Sequence, residues 1–147
     1  MNRVKSAEIT IHAPAEKIFD YLARPANHVA ADGSGTVRAA LVGPERLYPG
    51  AKFRMKMHMF VPYTITNTVV TFVENTEIAW RHSGRHIWRY RLQDLGDSNT
   101  KVTESFEWGQ APLRLIYELM GVPSRNLTAM VNTLNNLKQH FEASLQE

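Results

Sequence analysis

The hydrophobic period of the chain changes near its end, and this change sets narrow limits on the fold. Between Thr36 and Trp108, apolar residues tend to recur at every second position within short segments, which predicts strand after strand. Farther on they recur at helical spacing, at Leu127, Met130, Val131, Leu134, Leu137, Phe141 and Leu145. The second pattern predicts a helix of about 22 residues with one apolar stripe. Neither that stripe nor the apolar face of a sheet is stable in water, so we expect each to cover the other.

Short turn-like separators divide the middle of the chain. They occupy residues 61–62, 75–76, 83–84 and 96–99. Connections this short join antiparallel neighbours, so the strands over 51–59, 63–73, 77–82, 85–92 and 100–108 are expected to form a meander. A further strand over 36–42 precedes them, after the flexible Gly33-Ser34-Gly35.

The first part of the chain predicts one strand followed by two short helices. The strand covers residues 4–11, Pro14 suits the first turn of a helix that ends near Ala23, and residues 27–32 add one more helical turn. The expected fold is therefore α+β: a curved antiparallel sheet of about six or seven strands wrapped around the long C-terminal helix. A length of 147 residues without repeats favours a single domain over 1–147.

Composition argues against several classes of function. The chain has no cysteine, which excludes a thiol nucleophile and a thiolate metal site. His82 and His86 straddle a turn without a third ligand, so we expect no metal and no other cofactor. The net charge of +3 is small and no nucleic-acid motif is present. The arginines at 81, 89 and 91 are expected on a solvated outer face of the sheet.

No apolar stretch is long enough to span a bilayer, and the first ten residues lack the apolar run of a signal peptide. We expect a cytoplasmic protein without stable membrane insertion, as a monomer or homodimer. The one segment that predicts an exposed apolar surface for another protein is 113–120.

One carboxylate lies on the apolar face of the last strand. Alternation places Val102, Glu104, Phe106 and Trp108 on one side of that strand. A buried, unpaired carboxylate is expensive, so such a group takes a proton, finds a partner or meets water in a cavity. Glu104 therefore favours a lined chamber over a dry core, the alternative being that it reaches solvent at a sheet end.

Soft and aromatic side chains are expected around Glu104. Methionines alternate along one strand and aromatic residues face inward from its neighbours, a composition typical of small-molecule sites. The candidate ligand-binding residues are Met55, Met57, Met59, Tyr63, Trp80, Trp88, Tyr90, Phe106, Trp108, Tyr117 and Met130. His82 shares the face of Trp80 and is the second catalytic candidate. If it meets Glu104, the two form an acid/base pair.

Several strings of the chain resemble one known group of proteins. They are residues 11–19 (IHAPAEKIF), 32–37 (DGSGTV), 78–81 (IAWR), 101–108 (KVTESFEW) and the terminal helix from Asn126. The chain resembles the START/Bet v 1-like (SRPBCC) superfamily, in particular its polyketide cyclase/dehydrase and lipid-transport group. The resemblance implies a helix-grip fold with a cavity for an apolar small molecule. One departure is Ala31, since similar chains tend to carry tryptophan before the aspartate.

Two functions follow as expectations. The first is binding of a hydrophobic small molecule, such as a lipid, a polyketide or another ring compound, between the sheet and the C-terminal helix. The alternative is an enzyme of the cyclase/dehydrase type in which Glu104 shuttles protons. The resemblance does not decide between them, because members of one fold often differ in chemistry.

Overall fold

A seven-stranded antiparallel sheet is the centre of the computed structural model, which describes residues 2–143. The strands are β1 (Val4–Ile11), β2 (Val37–Val42), β3 (Lys52–Met59), β4 (Val61–Val73), β5 (Glu77–His82), β6 (Ile87–Gly96) and β7 (Asn99–Glu107). The helices are α1 (Ala15–Leu22), α2 (His28–Ala31), α3 (Arg114–Leu119) and α4 (Val122–Glu142), with a short 3-10 turn at Pro25–Asn27. This arrangement confirms the expected α+β helix-grip fold.

The order of the strands explains how the sheet curves around its helix. From one edge to the other, the order is β1-β7-β6-β5-β4-β3-β2. β1 and β2, which are consecutive in the chain, thus lie at opposite edges of the sheet. The chain crosses from one edge to the other through α1 and α2. At the end of the meander, β7 returns to pair with β1 along its whole length, from Val4 opposite Glu107 to Ile11 opposite Thr100.

The terminal helix packs on the concave face of the sheet, mainly against β1 and β7. Its stripe contributes Met130, Leu134 and Leu137, which are buried to within 1% exposure. Leu134 and Leu137 share a buried cluster with Val102, and Met130 packs with Phe106 and Trp108, in agreement with the predicted contact. Val131 of the predicted stripe is instead 45% exposed. Leu145, the last residue of the predicted stripe, lies outside the described part of the chain. No helix within residues 2–143 has the length and apolar character needed to cross a membrane.

Several boundaries differ from the sequence prediction, including those of β6, which covers Ile87–Gly96 and not 85–92. The terminal helix begins at Val122, with Pro123 in its first turn, because a proline there loses no helical hydrogen bond. The break before it is Gly121, whose φ of +74° is a conformation that glycine adopts readily. The turn between β3 and β4 lies at Phe60 and not at residues 61–62, since β4 already begins at Val61.

On the outer face of the sheet, Arg89 links β6 to both neighbouring strands. Its guanidinium donates to the carboxylates of Glu77 and Glu107 on the neighbouring strands. Ser105 lies opposite Arg89 in the sheet register and is only 2% exposed, although alternation predicts an outward position. Its hydroxyl pairs with the hydroxyl of Ser6 on β1 at 2.8 Å. The outward arginine is thus part of an ion-pair cluster that covers this face.

Replacing Leu134 by alanine tests the contact between helix and sheet. The side chain is 1% exposed and belongs to the main core cluster. We expect Leu134→Ala to lower the free energy of unfolding by about 2–5 kcal/mol, through lost burial and the cavity left behind. Urea denaturation monitored by circular dichroism measures this change. A loss below about half a kcal/mol would show that the helix does not depend on this contact.

Candidate functional site

A cavity of about 500 Å³ lies between the concave face of the sheet and α4. It is bounded by the inner faces of β3 to β7, by α1 and α2, and by the loop at residues 32–36. Exposed residues at that loop and at the start of α4 line it too, so the cavity reaches the surface there. α4 packs mainly against β1 and β7, and the open space lies between the helix and the strands farther along the sheet.

The deep walls of the cavity are apolar and aromatic. Met55 and Met57 come from β3, Ile65 from β4, and Trp80 and Trp88 from β5 and β6. The two tryptophans are directly paired across the strands, because β5 and β6 align Trp80 with Trp88. Methionine side chains are flexible and polarizable, so this wall can adapt to the outline of a bound ring.

Glu104 is a buried ionisable group in the lining of the cavity. It lies in the middle of β7, is 4% exposed and shares the main-chain register of Tyr90 on β6. Its Oε1 atom is buried without a hydrogen-bond partner among residues 2–143. Burial raises the pKa of Glu104 to about 8, although the Tyr90 hydroxyl lowers it by hydrogen bonding, and the charge of Asp32 adds to the rise. The carboxyl is therefore mainly neutral at pH 7.

A neutral Glu104 changes what the site can do. A protonated carboxyl has one O–H donor and keeps acceptor capacity, whereas a carboxylate only accepts. The same surroundings raise the pKa of Tyr90 well above its usual value, mainly through burial and then through the Glu104 charge. The pair Glu104–Tyr90 thus offers two uncharged hydroxyl groups to the cavity at neutral pH.

Asn67 is a second polar side chain among the apolar walls. It lies on β4, is 3% exposed and lines the cavity. Its Oδ1 atom has no hydrogen-bond partner in the described part of the chain. Glu104 lies three strands away in the sheet order, which corresponds to about 14 Å along a flat sheet and less across a curved one. Two buried polar groups therefore face the cavity from different walls.

His28 closes the cavity on the side of α2. Its Nε2–H donates to the carbonyl oxygen of Leu22 at 2.9 Å, and its ring stacks on Trp80 with centroids 4.8 Å apart. Burial lowers the pKa of His28 below its usual value. The imidazole is therefore neutral at pH 7 and acts as part of the aromatic wall.

The loop at residues 32–36 is fixed against α4. Gly33 donates its backbone N–H to the Thr133 hydroxyl at 2.8 Å, and a Cβ atom at this position would lie 2.4 Å from the Thr133 nitrogen. Only glycine allows this close approach. The Asp32 carboxylate accepts hydrogen bonds from the backbone N–H groups of Ser34 and Val37. These contacts shape one side of the cavity mouth.

The structure brings most of the predicted binding residues together around this cavity, and it places others outside. Glu104 and the predicted binding residues Met55, Met57, Met59, Trp80, Trp88, Tyr90 and Met130 line it. Phe106, Trp108 and Tyr117 are not in its lining and form an adjoining cluster under α3 and the start of α4. Tyr63 is also outside the lining and lies near Arg125.

His82, the second catalytic candidate, is not brought together with Glu104. It stacks on His86 with ring centroids 4.2 Å apart, and its Nδ1 accepts the backbone N–H of Gly84. Burial lowers the pKa of both imidazoles, that of His86 to about 3. The reason is register: His82 pairs with Asn67 at the end of β5, whereas Glu104 lies level with Tyr90. The expected acid/base pair is absent from the cavity.

Asn67 and His28 line the cavity but were not predicted from the sequence. Only Asn67 gave a signal that could have identified it. Asn67 interrupts the apolar alternation of Ile65 and Val69, which is the same signal that identified Glu104. His28 gave no such signal, because its place against Trp80 depends on how α2 crosses the sheet. Within residues 2–143 no three histidine, aspartate or glutamate side chains come together as metal ligands.

Comparison with known proteins places the chain among proteins of one family. The family model described as polyketide cyclase/dehydrase and lipid transport matches residues 4–142. A curated relative, the uncharacterized protein Rv0088 of Mycobacterium tuberculosis, is 34% identical over 141 residues. That match covers 92% of this chain and 63% of the relative, so the chain spans less than two thirds of the relative's length.

Solved structures show the same fold at low sequence identity. Protein Ms6760 from Mycobacterium smegmatis superposes with a TM-score of 0.69 at 15% identity, covering 97% of this chain and 93% of that one. The Polyketide_cyc-like protein Cgl2372 from Corynebacterium glutamicum has a TM-score of 0.62 at 18% identity, covering 99% of this chain and 95% of that one. At these identities the likeness concerns the fold.

The raised pKa of Glu104 predicts how stability depends on pH. The unfolded chain ionises Glu104 near the ordinary glutamate pKa of 4.5, whereas the folded protein holds the proton up to about pH 8. Stability from this group is complete below the lower value and is lost as the pH rises through the higher one. Glu104→Gln should remove this loss, which amounts to about 5 kcal/mol at most.

Urea denaturation of both proteins at about pH 5 and about pH 8 measures this difference. The histidines act in the opposite direction, because their lowered pKa values cost stability as the pH falls below about 6.5. Since both proteins contain these histidines, the comparison cancels their effect. Parallel stability curves for the two proteins would mean that Glu104 is solvated.

Proposed function

Because the chain belongs to the polyketide cyclase/dehydrase and lipid transport family, we propose that it binds a small hydrophobic molecule in the cavity beneath α4. One observation carries this proposal: a cavity of about 500 Å³ with aromatic and methionine walls contains a buried, uncharged carboxyl. Small-molecule sites commonly have this size, with mainly apolar walls and a few placed polar groups. A lipid, a polyketide or another ring compound fits this description.

The aromatic walls favour a ligand with a flat ring body. Trp80 is in contact with aromatic rings on several sides, including His28 and Phe53, which hold it in place. A ring placed against such a surface gains apolar burial and offset stacking without the cost of ordering flexible side chains. The methionines opposite supply the adaptable part of the wall.

The polar groups favour a ligand that also carries oxygen atoms. Glu104 in its protonated form can donate to a ligand carbonyl, and the Tyr90 hydroxyl beside it can donate or accept. Asn67 offers an amide from β4, three strands away from Glu104 in the sheet. A buried polar atom without a partner costs free energy, so a ligand that pairs with Asn67 or Glu104 gains affinity over a pure hydrocarbon. We propose a ring compound with polar substituents at two places.

A second function, proton transfer on such a ligand, is supported by the pKa of Glu104. A general acid or base works best when its pKa is near the working pH, and a value of about 8 meets this requirement. Tyr90 would hold the carboxyl in place. This proposal corresponds to a cyclase or dehydrase activity, with Glu104 as the proton shuttle and without the participation of His82.

Filling the cavity from α4 tests binding directly. Ala129 lines the cavity, while Val131 lies on the exposed side of the same helix with 45% exposure. We expect Ala129→Trp to weaken the binding of the fluorescent dye phenylnaphthylamine by about tenfold or more, because the indole occupies the space of the dye. Val131→Trp is the matched control and should bind the dye like the parent. Fluorescence titration measures both affinities.

Equal binding by the two tryptophan variants would contradict a site in this cavity. So would the absence of dye binding by the folded parent protein. Because the control adds the same side chain to the same helix, a loss restricted to Ala129→Trp cannot come from a general effect of tryptophan on the helix.

Glutamine at position 104 separates binding from catalysis. Glu104→Gln retains the shape of the side chain and an N–H donor, but it removes proton transfer. Native mass spectrometry of the protein purified from its own host identifies a co-purifying compound, which is then incubated with each variant. Under the binding proposal the compound keeps its mass with both proteins. Under the catalytic proposal the parent converts it, and the variant is slower by about 100-fold or more.

A further inference from the structure

The hairpin of β3 and β4 ends in an exposed aromatic residue. Phe60 forms the turn between the paired residues Met59 and Val61, and its side chain is 93% exposed. Val61 is 63% exposed and Met59 38%, so three consecutive apolar residues face solvent at this tip. This contrasts with the isolated exposed apolar side chains that are normal on soluble proteins.

The backbone of Phe60 makes this exposure harder to explain by folding alone. Its φ of +63° lies in the left-handed region, which glycine and asparagine adopt easily and bulky side chains rarely do. Glycine or asparagine would form the turn with less strain and without an exposed ring. The Phe60 ring therefore brings no evident stabilisation to the folded chain, which points to a contact of this ring with another molecule.

The tip lies at the mouth of the cavity. Met59 lines the cavity, and the backbone N–H of His58 donates to the carbonyl oxygen of Thr36 in the mouth loop at 2.7 Å. Tyr63 on β4 lies within electrostatic reach of Arg125 at the start of α4. A surface that holds the tip would thus face the route by which a ligand enters or leaves.

The charges around the tip are mostly positive. Residues 46–73, which include the whole hairpin, contain no aspartate or glutamate. Residues 119–141, which cover most of α4 and the turn before it, contain none either. Lys56 on the hairpin and Arg125 at the mouth are exposed, and neither forms an ion pair within residues 2–143. Asp32 is the acidic residue of the mouth loop, and its oxygens are engaged by the loop itself.

We propose that the tip at residues 59–61 docks the protein on an anionic lipid bilayer, with Phe60 entering the interfacial region and the cavity mouth facing the membrane. An apolar tip flanked by cations matches the surface of such a bilayer, where acyl chains lie beneath negative headgroups. Docking of this kind is peripheral and needs no membrane-spanning segment. It gives an apolar ligand a path between membrane and cavity, which goes beyond the proposed binding function.

Vesicle flotation tests the proposal. The probes are vesicles of phosphatidylcholine alone and vesicles with about 30% phosphatidylglycerol. We expect the parent protein to float with the anionic vesicles and to dissociate as the salt rises from about 0.1 M to about 0.5 M. Phe60→Gly should reduce the bound fraction by about tenfold, since the ring supplies most of the buried apolar area. Its stability in urea should stay equal or rise, because glycine relieves the positive φ.

Leu95 provides the matched control. It is an apolar residue with 49% exposure near the turn between β6 and β7, at the opposite end of the sheet. Leu95→Ser should bind the anionic vesicles like the parent, whereas Lys56→Gln should bind them more weakly. Both Phe60→Gly and Lys56→Gln should keep their affinity for phenylnaphthylamine, so a failure of docking is distinct from a failure of ligand binding.

Three results would overturn the proposal. The first is equal flotation of the parent and Phe60→Gly, and the second is equal binding to neutral and anionic vesicles. The third is a parent protein that ignores vesicles but forms a dimer by light scattering which Phe60→Gly dissolves. That outcome would assign the tip to an interface between two copies of the chain.

Discussion

The packing of α4 against one side of a curved sheet is the constraint on which the rest of the structure depends. The sheet has seven strands, but the helix contacts mainly β1 and β7. The apolar inner faces of the remaining strands must be covered in another way. Part of that task falls to α1 and α2, which cross the concave face, and part of the space stays open as the cavity. A ligand in this space would cover the apolar inner surface of the sheet that the helices leave open to the cavity.

The same constraint determines the chemistry of the site. Glu104 faces inward because β7 alternates, and it is desolvated because α4 and the mouth loop cover that part of the sheet. Desolvation disfavours the charged form of a carboxyl more strongly than one tyrosine hydroxyl can compensate. The fold thus holds an uncharged acid at neutral pH in apolar surroundings. This property serves a binding protein, as a hydrogen-bond donor, and an enzyme, as a proton source.

The fold was predictable because its signals are local and mutually consistent. Alternating segments, short turns and one helical stripe have few ways to bury their apolar faces together. Strand boundaries were predicted less accurately where a residue has a backbone conformation that its type rarely adopts. Phe60 forms a turn in which a non-glycine residue is unusual, so the prediction placed the turn one residue late.

The site was only partly predictable. Alternation along a strand shows on which face of the sheet a side chain lies, but not which residues it contacts. Glu104, Trp80 and Tyr90 were expected to face inward, and the structure places them in the cavity lining. Phe106 also faces inward, yet it packs in the adjoining cluster, since the cavity does not extend to that end of β7. The separation of His82 from Glu104 depends on the registers of β4 to β7 together, which no short segment of sequence encodes. His28 reaches the site only through the path of α2.

The structure holds the uncharged carboxyl of Glu104 in an internal, ligand-sized cavity. An NMR titration of the Glu104 side-chain carboxyl in the folded protein measures this most directly, with Glu104→Gln used to assign the signal. Burial in this cavity should give a titration midpoint near pH 8. A midpoint near the ordinary glutamate value of 4.5 would show instead that water reaches Glu104 freely.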